Sequence, residues 1–469
     1  MICFGTGGWR AEIGKDFYIG NIRLIAQALA NCVKNDGKSD KPVVVGYDRR
    51  FLSSQAATWA AEVLAANNIP VLFMRRSVPT PLVMYIVKER GLHYGIEITA
   101  SHNPSNYNGI KVIVDEGRDA PIAVTELLER EAAAVSEPLV IPFDQAVEAG
   151  NVSYIENPFN PFIDDILAVL DTEAIRARGP RILFDSMHGS SSYPLNVIFH
   201  TTRCTVDQIH GNRDAYFGGL MPAPNECTMS ELQTLVVQGG YDLGIAVDGD
   251  GDRLGVIDGT GQYISANEIL VLLYYYLHEY KGWKGPVVRN LSTTHLLDRV
   301  AESLGETCYE VPVGFKYISA KIDEVDAILG GESSGGLTVR GHIHGKDSVY
   351  SSALFVEMIC KTGMYPSEMI KKIAEPFGCY IMEEANIAFP AQNRTELSKR
   401  ILEDHALPDF SKVPSRVSYM DGCKVYFSDD SFVVCRFSGT EPLLRIFAEA
   451  HTQAEAQQYI SAWKSMLGL

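Results

Sequence analysis

The sequence predicts an α/β protein: three similar α/β domains followed by a small carboxy-terminal α+β domain. Three observations carry that expectation. Three short apolar strands each open after a proline and close on polar residues: Pro42-Val-Val-Val-Gly-Tyr-Asp, Pro180-Arg-Ile-Leu-Phe-Asp-Ser and Pro286-Val-Val-Arg-Asn-Leu-Ser. Each is followed by a helix-like stretch, such as 56–67 or 294–304, as expected of α/β units laid end to end. The chain has 469 residues, which at roughly 150 residues per domain makes about three domains and allows four. The carboxy-terminal stretch has a pattern of its own. Residues 431–437 and 443–448 read as strands joined by a polar loop. The spacing of the three similar strands is too uneven for a solenoid.

The elements follow in order. Phe4-Gly-Thr-Gly-Gly-Trp-Arg is a glycine-rich turn ending in Arg10, whose fork suits an oxyanion. Residues 20–34 have helical periodicity, with Ile22, Ile25, Ala26, Leu29 and Val33 on one face. Tyr94 to Thr99 and Ile110 to Asp115 alternate as strands, and Asn103-Pro104 and Asn108-Gly109 between them read as turns. Ser101 is expected at the tip of this unit, open to a ligand. In an extended backbone, adjacent side chains point apart, so His102 is not expected to activate Ser101. The proline- and glycine-bearing stretches 136–160 and 376–392 read as linkers. Thr452-Gln-Ala-Glu is a capping box opening a helix whose Ala456, Tyr459, Ile460, Trp463 and Leu467 share a face.

Composition narrows the function classes. A hydrophobic fraction of 46% and a charged fraction of 21% belong to an ordinary globular protein. The net charge of −17 argues against general attraction to nucleic acid or anionic membrane. A phosphate ligand would need a local cationic pocket. The start lacks a signal-peptide pattern, and Glu268 to Tyr280, the most apolar run, is too short to span a bilayer. The nine cysteines are scattered, which predicts reduced thiols in a cytoplasmic protein.

Two loops carry the chemistry most clearly. Asp248-Gly-Asp-Gly-Asp-Arg follows the apolar strand Leu243 to Val247, and a two-residue period puts the three carboxylates on one side of an extended backbone. Converging carboxylates need a cation, and hard oxygen ligands suit Mg²⁺ or Ca²⁺. An EF-hand is excluded because Arg253 and Gly259 stand where Gly and Glu are required. A dinucleotide fingerprint is excluded because Gly255 comes one residue late and the aspartates would repel a pyrophosphate. The second loop, Arg436-Phe-Ser-Gly-Thr-Glu-Pro-Leu-Leu-Arg, suits a phosphate. Ser438 and Thr440 offer hydroxyls, Gly439 permits a nest of backbone N–H groups, and Arg436 and Arg445 are charged forks.

Thr99-Ala-Ser-His-Asn-Pro resembles the phosphoserine loop of the α-D-phosphohexomutases, the phosphoglucomutase and phosphomannomutase group. The amino-terminal, acidic and 436–445 loops resemble further loops of that family, in the family's order, so the resemblance covers nearly the whole chain. It implies four domains around a central cleft: 1–145 with the phosphoserine loop, 158–262 with the metal loop, 263–376 with the sugar-recognition loop, and 390–469 with the phosphate-binding loop. It also implies phosphate on Ser101 and a Mg²⁺ held by Asp248, Asp250, Asp252 and Ser101, with a hexose 1,6-bisphosphate as activator and intermediate. His102, Lys111, Lys346 and Arg10 are then the candidates for moving the proton and stabilising the transferred group. Gly330 to Gly336 resembles the family's sugar-reading loop, with Glu332 and Ser334 as its readers. Lys316 in Pro312-Val-Gly-Phe-Lys-Tyr and Lys346 in Gly341-His-Ile-His-Gly-Lys-Asp match loops that bring cations to the ligand. Arg253, Arg436, Ser438, Gly439, Thr440 and Arg445 complete the substrate-binding set.

The sequence departs from one branch at Gly336, where several relatives have histidine, and His342 is the candidate replacement. Arg50 also sits where the family often has arginine, with a structural salt bridge as its other reading. The implied activity is a phosphoglucomutase, with phosphomannomutase or a bifunctional enzyme as the alternative. A metal-dependent sugar phosphatase and a non-catalytic sugar-phosphate sensor are more distant readings. The expected partner is a small sugar phosphate, with no nucleic acid or membrane, and the chain acting as monomer or homodimer.

Overall fold

The computed structural model describes residues 2–5, 7–438 and 443–469. Its strands form four main sheets. The chain divides into two compact units, Met1–Ile269 with Ser334–Ser367, and Leu270–Ser333 with Glu368–Leu469.

The first sheet of the first unit runs in the order Trp9–Glu12, Tyr107–Val114, Tyr94–Ile98, Val43–Tyr47, Val71–Phe73, Val152–Tyr154. The central Val43–Tyr47 is buried along its whole length and parallel to both neighbours. Such a strand is covered on both faces, which is why it reads as a continuous apolar run. Helix Ile19–Asn35 buries the face that its periodicity predicts. The second sheet runs Tyr263–Ile264, Leu254–Asp258, Leu243–Val247, Arg181–Asp185, Thr205–Ile209. Leu243–Val247 lies parallel to Arg181–Asp185 and antiparallel to Leu254–Asp258, with Val247 opposite Leu254. The acidic segment is therefore the tip of a hairpin.

In the second unit, Val287–Asn290 lies between the parallel strands Cys308–Val311 and Leu329–Gly331. The last sheet is antiparallel, in the order Ile381–Ala388, Leu443–Ala450, Phe432–Phe437, Cys423–Tyr426, Arg416–Ser418. Helix Gln453–Leu467 covers it, burying Ala456, Tyr459, Ile460, Trp463 and Leu467, and the Thr452 side chain accepts from the Glu455 amide. Three α/β sheets followed by one antiparallel α+β sheet is the predicted fold class.

Three expectations differ from the structure. The stretch 136–160 is no linker: it holds helix Phe143–Glu148 and strand Val152–Tyr154, which extends the first sheet alongside Val71–Phe73. The stretch 376–392 holds strand Ile381–Ala388, paired along its length with Leu443–Ala450. In both, the prolines flank the elements and do not interrupt them, so the turn residues mark element ends within each stretch. The Asn108-Gly109 pair is also not a turn. It lies inside strand Tyr107–Val114, where Gly109 pairs with Arg10. A Cβ at Gly109 would stand 2.1 Å from the Trp9 carbonyl oxygen, so glycine is there for the close approach of a second backbone. Gly109→Ala is accordingly expected to lower the stability of the chain by about 1–3 kcal/mol, the range for an overpacked interior site. Urea unfolding of the two proteins measures this.

Candidate active site

In the first unit, the acidic hairpin tip brings Asp248, Asp250 and Asp252 together. One carboxylate oxygen from each lies within 4.8 Å of the others, and all three residues are buried. The convergence comes from a tight turn and not, as the two-residue period suggested, from an extended backbone. The Gly251 amide donates to the Asp248 carbonyl (3.1 Å), and the Asp252 and Arg253 amides donate to Asp248 Oδ1 at 2.8 and 3.1 Å. Gly251 has φ +76°, and a Cβ there would come 2.0 Å from Ser191 Oγ. Only glycine fits both the dihedral and the space.

Cations crowd this tip. Lys111 Nζ donates to Asp250 Oδ2 (2.7 Å) and Asp252 Oδ2 (2.8 Å), and Lys346 Nζ lies 3.0 Å from Asp252 Oδ2. Arg253 Nε is 3.6 Å from Asp252 Oδ1 and 4.0 Å from Asp248 Oδ2. Thr80 Oγ1, which no sequence signal marked, donates to Asp250 Oδ2 at 2.7 Å. Asp250 Oδ1 and Asp252 Oδ1 nevertheless remain buried without a hydrogen-bond partner. Orphaned buried oxygens of this kind are rare, and a hard divalent cation would satisfy them. The residues present therefore fit a bound cation.

Ser101 belongs to the same cluster. Its Oγ donates to Asp248 Oδ2 at 3.3 Å and lies 3.4 Å from His102 Nδ1. Two expectations are corrected here. The side chains of Ser101 and His102 do not diverge, because Ser101 is not extended: its φ is +53°, and the left-handed turn swings the two together. Nor is Ser101 open, being fully buried in this structure. Arg10, on strand Trp9–Glu12, donates from Nη1 to Asn103 Oδ1 (2.7 Å) in the same loop.

Proton affinities follow from this crowding. Burial, then Asp252 and Asp250, raise the Asp248 carboxyl well above the usual range. Burial and Asp252 also oppose ionisation of Asp250, but Lys111 and Thr80 bring it below the ordinary value. Asp252 is lowered further because Lys111, Lys346 and Arg253 outweigh its burial. Burial opposes the Lys111 charge, yet Asp250 and Asp252 raise its pKa, so it stays an ammonium. His102 is lowered well below its usual value by burial and then by Arg253 and Arg10, so its imidazole is neutral.

Gly336 has a spatial reason. A Cβ there would lie 2.1 Å from Lys346 Cδ, so the glycine leaves room for the lysine stem that carries an ammonium to Asp252. His342 is engaged elsewhere: Nε2 lies 2.6 Å from Asp347 Oδ2, and the ring stacks on Tyr350. Asp347 caps helix Ser348–Thr362, and Ser348 Oγ donates to the Gly251 carbonyl at 2.7 Å. Ser334 is exposed.

The second unit holds the other predicted residues. The buried Glu332 accepts from the Gly314 amide (3.1 Å) and Asn290 Nδ2 (3.3 Å) through Oε1. Lys316, on helix Phe315–Val325, lies over the Tyr317 ring. Arg436 and Arg445 are directly opposite one another on paired strands, so their side chains share a sheet face. Arg436 Nη2 lies 3.1 Å from Asp421 Oδ2, and the Nε atoms of both arginines are buried without a partner. The Ser438 amide donates to the Leu443 carbonyl at 2.8 Å, and Arg394, which the sequence reading missed, donates to the Ser438 carbonyl at 3.1 Å. Gly439 and Thr440 lie outside the described residues.

Three α/β sheets and an antiparallel α+β sheet, with a serine and a buried aspartate triad at strand ends, define a multidomain α/β chain with a candidate cation site. Comparison with known proteins then supplies the family. Residues 1–138, 160–261 and 265–377 match the models for phosphoglucomutase/phosphomannomutase alpha/beta/alpha domains I, II and III, and 392–462 match that for the C-terminal domain. The chain belongs to the phosphoglucomutase/phosphomannomutase family. It is 28% identical over 461 residues to a phosphoglucomutase/phosphomannomutase of Thermococcus kodakarensis, covering 97% of this chain and 96% of that one. It is 26% identical over 473 residues to a phosphoglucosamine/phosphogalactosamine mutase of Sulfurisphaera tokodaii, covering 99% and 98%. A solved phosphoglucomutase/phosphomannomutase family protein of Burkholderia thailandensis superposes with a TM-score of 0.82 at 22% identity, covering 99% and 98%. The protein is thus a phosphohexomutase, an isomerase acting on a sugar phosphate. Among the described residues, no helix is long and apolar enough to cross a membrane.

One buried carboxyl went unnoticed in the sequence. Glu97 lies opposite Lys111 on the neighbouring strand, fully buried, and neither carboxyl oxygen has a hydrogen-bond partner. Burial, then Asp48 and Asp250, raise its pKa well above the usual value. The folded protein thus keeps a proton that the unfolded chain releases above about pH 4.3. From that pH upward, toward the raised folded value, this group costs stability. Glu97→Gln removes the cost, so its gain in denaturation midpoint over the parent should be larger at pH 8 than at pH 5, with chelator present. An equal difference at both pH values would contradict the assignment.

Proposed function

We propose that this chain is a Mg²⁺-dependent phosphoglucomutase that interconverts glucose 1-phosphate and glucose 6-phosphate through phosphorylated Ser101 and a hexose 1,6-bisphosphate. The observation that carries the reading is Ser101 Oγ at 3.3 Å from Asp248, beside a triad whose orphaned oxygens suit a cation. Asp248, Asp250, Asp252 and Ser101 would hold Mg²⁺. That ion would draw charge from a phosphate on Ser101.

The chain's own residues supply the rest. A sugar hydroxyl attacks phosphorus, the bond from phosphorus to Ser101 Oγ breaks, and the new ester is the bisphosphate. Its other phosphate then returns to Ser101. His102, with Nδ1 3.4 Å from Ser101 Oγ, is the candidate for moving the hydroxyl proton, while Lys111, Lys346, Arg10 and Arg253 spread the charge of the transferred group. Glu332 and Ser334 read sugar hydroxyls, with Lys316 as a cation for the ligand. Arg436, Arg445, Ser438, Gly439 and Thr440 grip the phosphate that is not being transferred. Hydrolysis would need neither a sugar reader nor a second phosphate site, which favours a mutase over a phosphatase. The scattered cysteines favour action in the cytoplasm, and the chain is taken to act as a monomer or homodimer.

The glucose preference rests on the loop ending in Gly335 and Gly336, together with Gly314-Phe-Lys-Tyr and His342-Ile-His-Gly-Lys-Asp. A phosphomannomutase or a bifunctional enzyme is the alternative. The Sulfurisphaera relative, whose name includes phosphoglucosamine, favours testing an amino sugar as well. A coupled assay over glucose, mannose and glucosamine 1-phosphates decides among them. Intact-mass measurement should find one phosphate on the chain, discharged by sugar phosphate and missing from an inactive Ser101→Ala variant. A Ser101→Ala enzyme of undiminished rate would overturn the covalent reading. Glu332→Ala should lower kcat/KM for glucose and mannose phosphates alike, by about 1–3 kcal/mol for a lost buried hydrogen bond. Steady-state kinetics on both sugars measure this, and loss confined to glucose would contradict it.

A further inference from the structure

Arg50 follows strand Val43–Tyr47 of the first sheet and reaches the interior of the Ser101 loop, and the proposed reaction does not account for it. It is fully buried. Its Nη2 donates to the carbonyls of Ser101 and Asn103, both at 2.6 Å. Its Nη1 donates to the carbonyls of Pro104 (2.9 Å) and Tyr107 (3.1 Å). One guanidinium therefore gathers four carbonyls from a single loop. Its own position is fixed from behind. Nε lies 3.4 Å from Asp48 Oδ2, the Arg50 amide donates to Asp48 Oδ1 (2.9 Å), and the Phe217 ring lies under the guanidinium at 4.8 Å.

The loop needs such a partner. Ser101 has a left-handed backbone, φ +53°, which a non-glycine residue adopts only when its surroundings over-determine it. That conformation turns the Ser101 carbonyl inward, where it needs a donor. Arg50 supplies the donor, and the same turn leaves Ser101 Oγ at 3.3 Å from Asp248 Oδ2.

We propose that Arg50 is the positioning residue of the phosphoryl-carrying loop: its fork holds Ser101 in the left-handed turn that delivers Oγ to the aspartate triad. The inference rests on Ser101 as phosphoryl carrier. Lysine keeps the charge but cannot span four carbonyls. Because a misplacement of about 1 Å can cost on the order of 100-fold in rate, Arg50→Lys should slow transfer from Ser101 to sugar phosphate by about 10- to 100-fold. Arg50 touches no substrate group, so KM should stay within about threefold.

The test begins with wild-type protein and intact-mass measurement. If Ser101 carries no phosphate, the functional reading fails, whatever Arg50 does. With phosphate on Ser101, single-turnover transfer, KM, Mn²⁺ affinity and hydrogen exchange of the 101–107 amides are compared between wild type and Arg50→Lys. Slower transfer, faster exchange confined to 101–107, and unchanged KM and Mn²⁺ affinity are expected. Unchanged transfer overturns the proposal, as does a loss shared by KM and Mn²⁺ affinity, which would mark general damage. Should Arg50→Lys fail to fold, Phe217→Leu keeps the charge and removes the ring beneath it. That variant should slow transfer about threefold or more at constant KM, and an unchanged transfer rate in it overturns the proposal.

Discussion

Three carboxylates buried at one hairpin tip would repel each other apart without compensating charge, and much of the first unit is arranged to supply it. Lys111 comes from a strand of the first sheet, Lys346 from the segment before helix Ser348–Thr362, and Arg253 from the hairpin itself. Thr80 adds a hydroxyl from the start of helix Thr80–Glu89. Three separate parts of the chain thus meet the turn, which adds Arg253 of its own. Even so, positive charge does not satisfy every oxygen, and Asp248 takes the remaining cost as a raised proton affinity. A centre of this kind is poised for a cation because protein groups alone leave it incomplete.

The charge balance depends on backbone approaching backbone very closely. A Cβ on Gly249 would stand 3.0 Å from the Ser101 carbonyl, so the acidic tip and the serine loop are nearly in contact. Gly109 lets strand Trp9–Glu12, which carries Arg10, lie against the strand that carries Lys111. These glycines act through what they omit. Each missing side chain leaves space that a charged group or a second strand occupies.

In the second unit, a different network holds the sheets together. Buried Lys424 donates to the Leu291 carbonyl (2.7 Å) and to Glu310 (2.6 Å), and sits 3.0 Å from His295 Nε2. Burial, with the nearby Arg289, brings its pKa down to about 7. Breaking such a pair by removing one partner leaves an uncompensated charge, which is costly. The strands carrying Arg436 and Arg445 belong to the sheet that also carries Lys424, so these two arginines stand on a sheet that this network anchors.

What the sequence determined by itself was local and periodic. The buried run Val43–Tyr47, the amphipathic face of helix Ile19–Asn35 and the capped helix Gln453–Leu467 are all visible as patterns, because period and capping chemistry act over a few residues. The acidic triad was equally legible, since its three ligands are close in sequence. Tertiary structure decided the rest. Asn108-Gly109 reads as a turn until strand Trp9–Glu12 lies across it, and the stretches at 136–160 and 376–392 read as linkers until their partner strands are known. Glu97 is ordinary in sequence and exceptional only because burial removes its solvent and every hydrogen-bond partner. In sequence Arg50 offers no more than a structural salt bridge, yet its four carbonyl contacts come from residues fifty or more positions away. Sequence spacing carries no record of such distances, because side-chain partners of this kind are chosen by the packing of sheets and loops after the chain has folded.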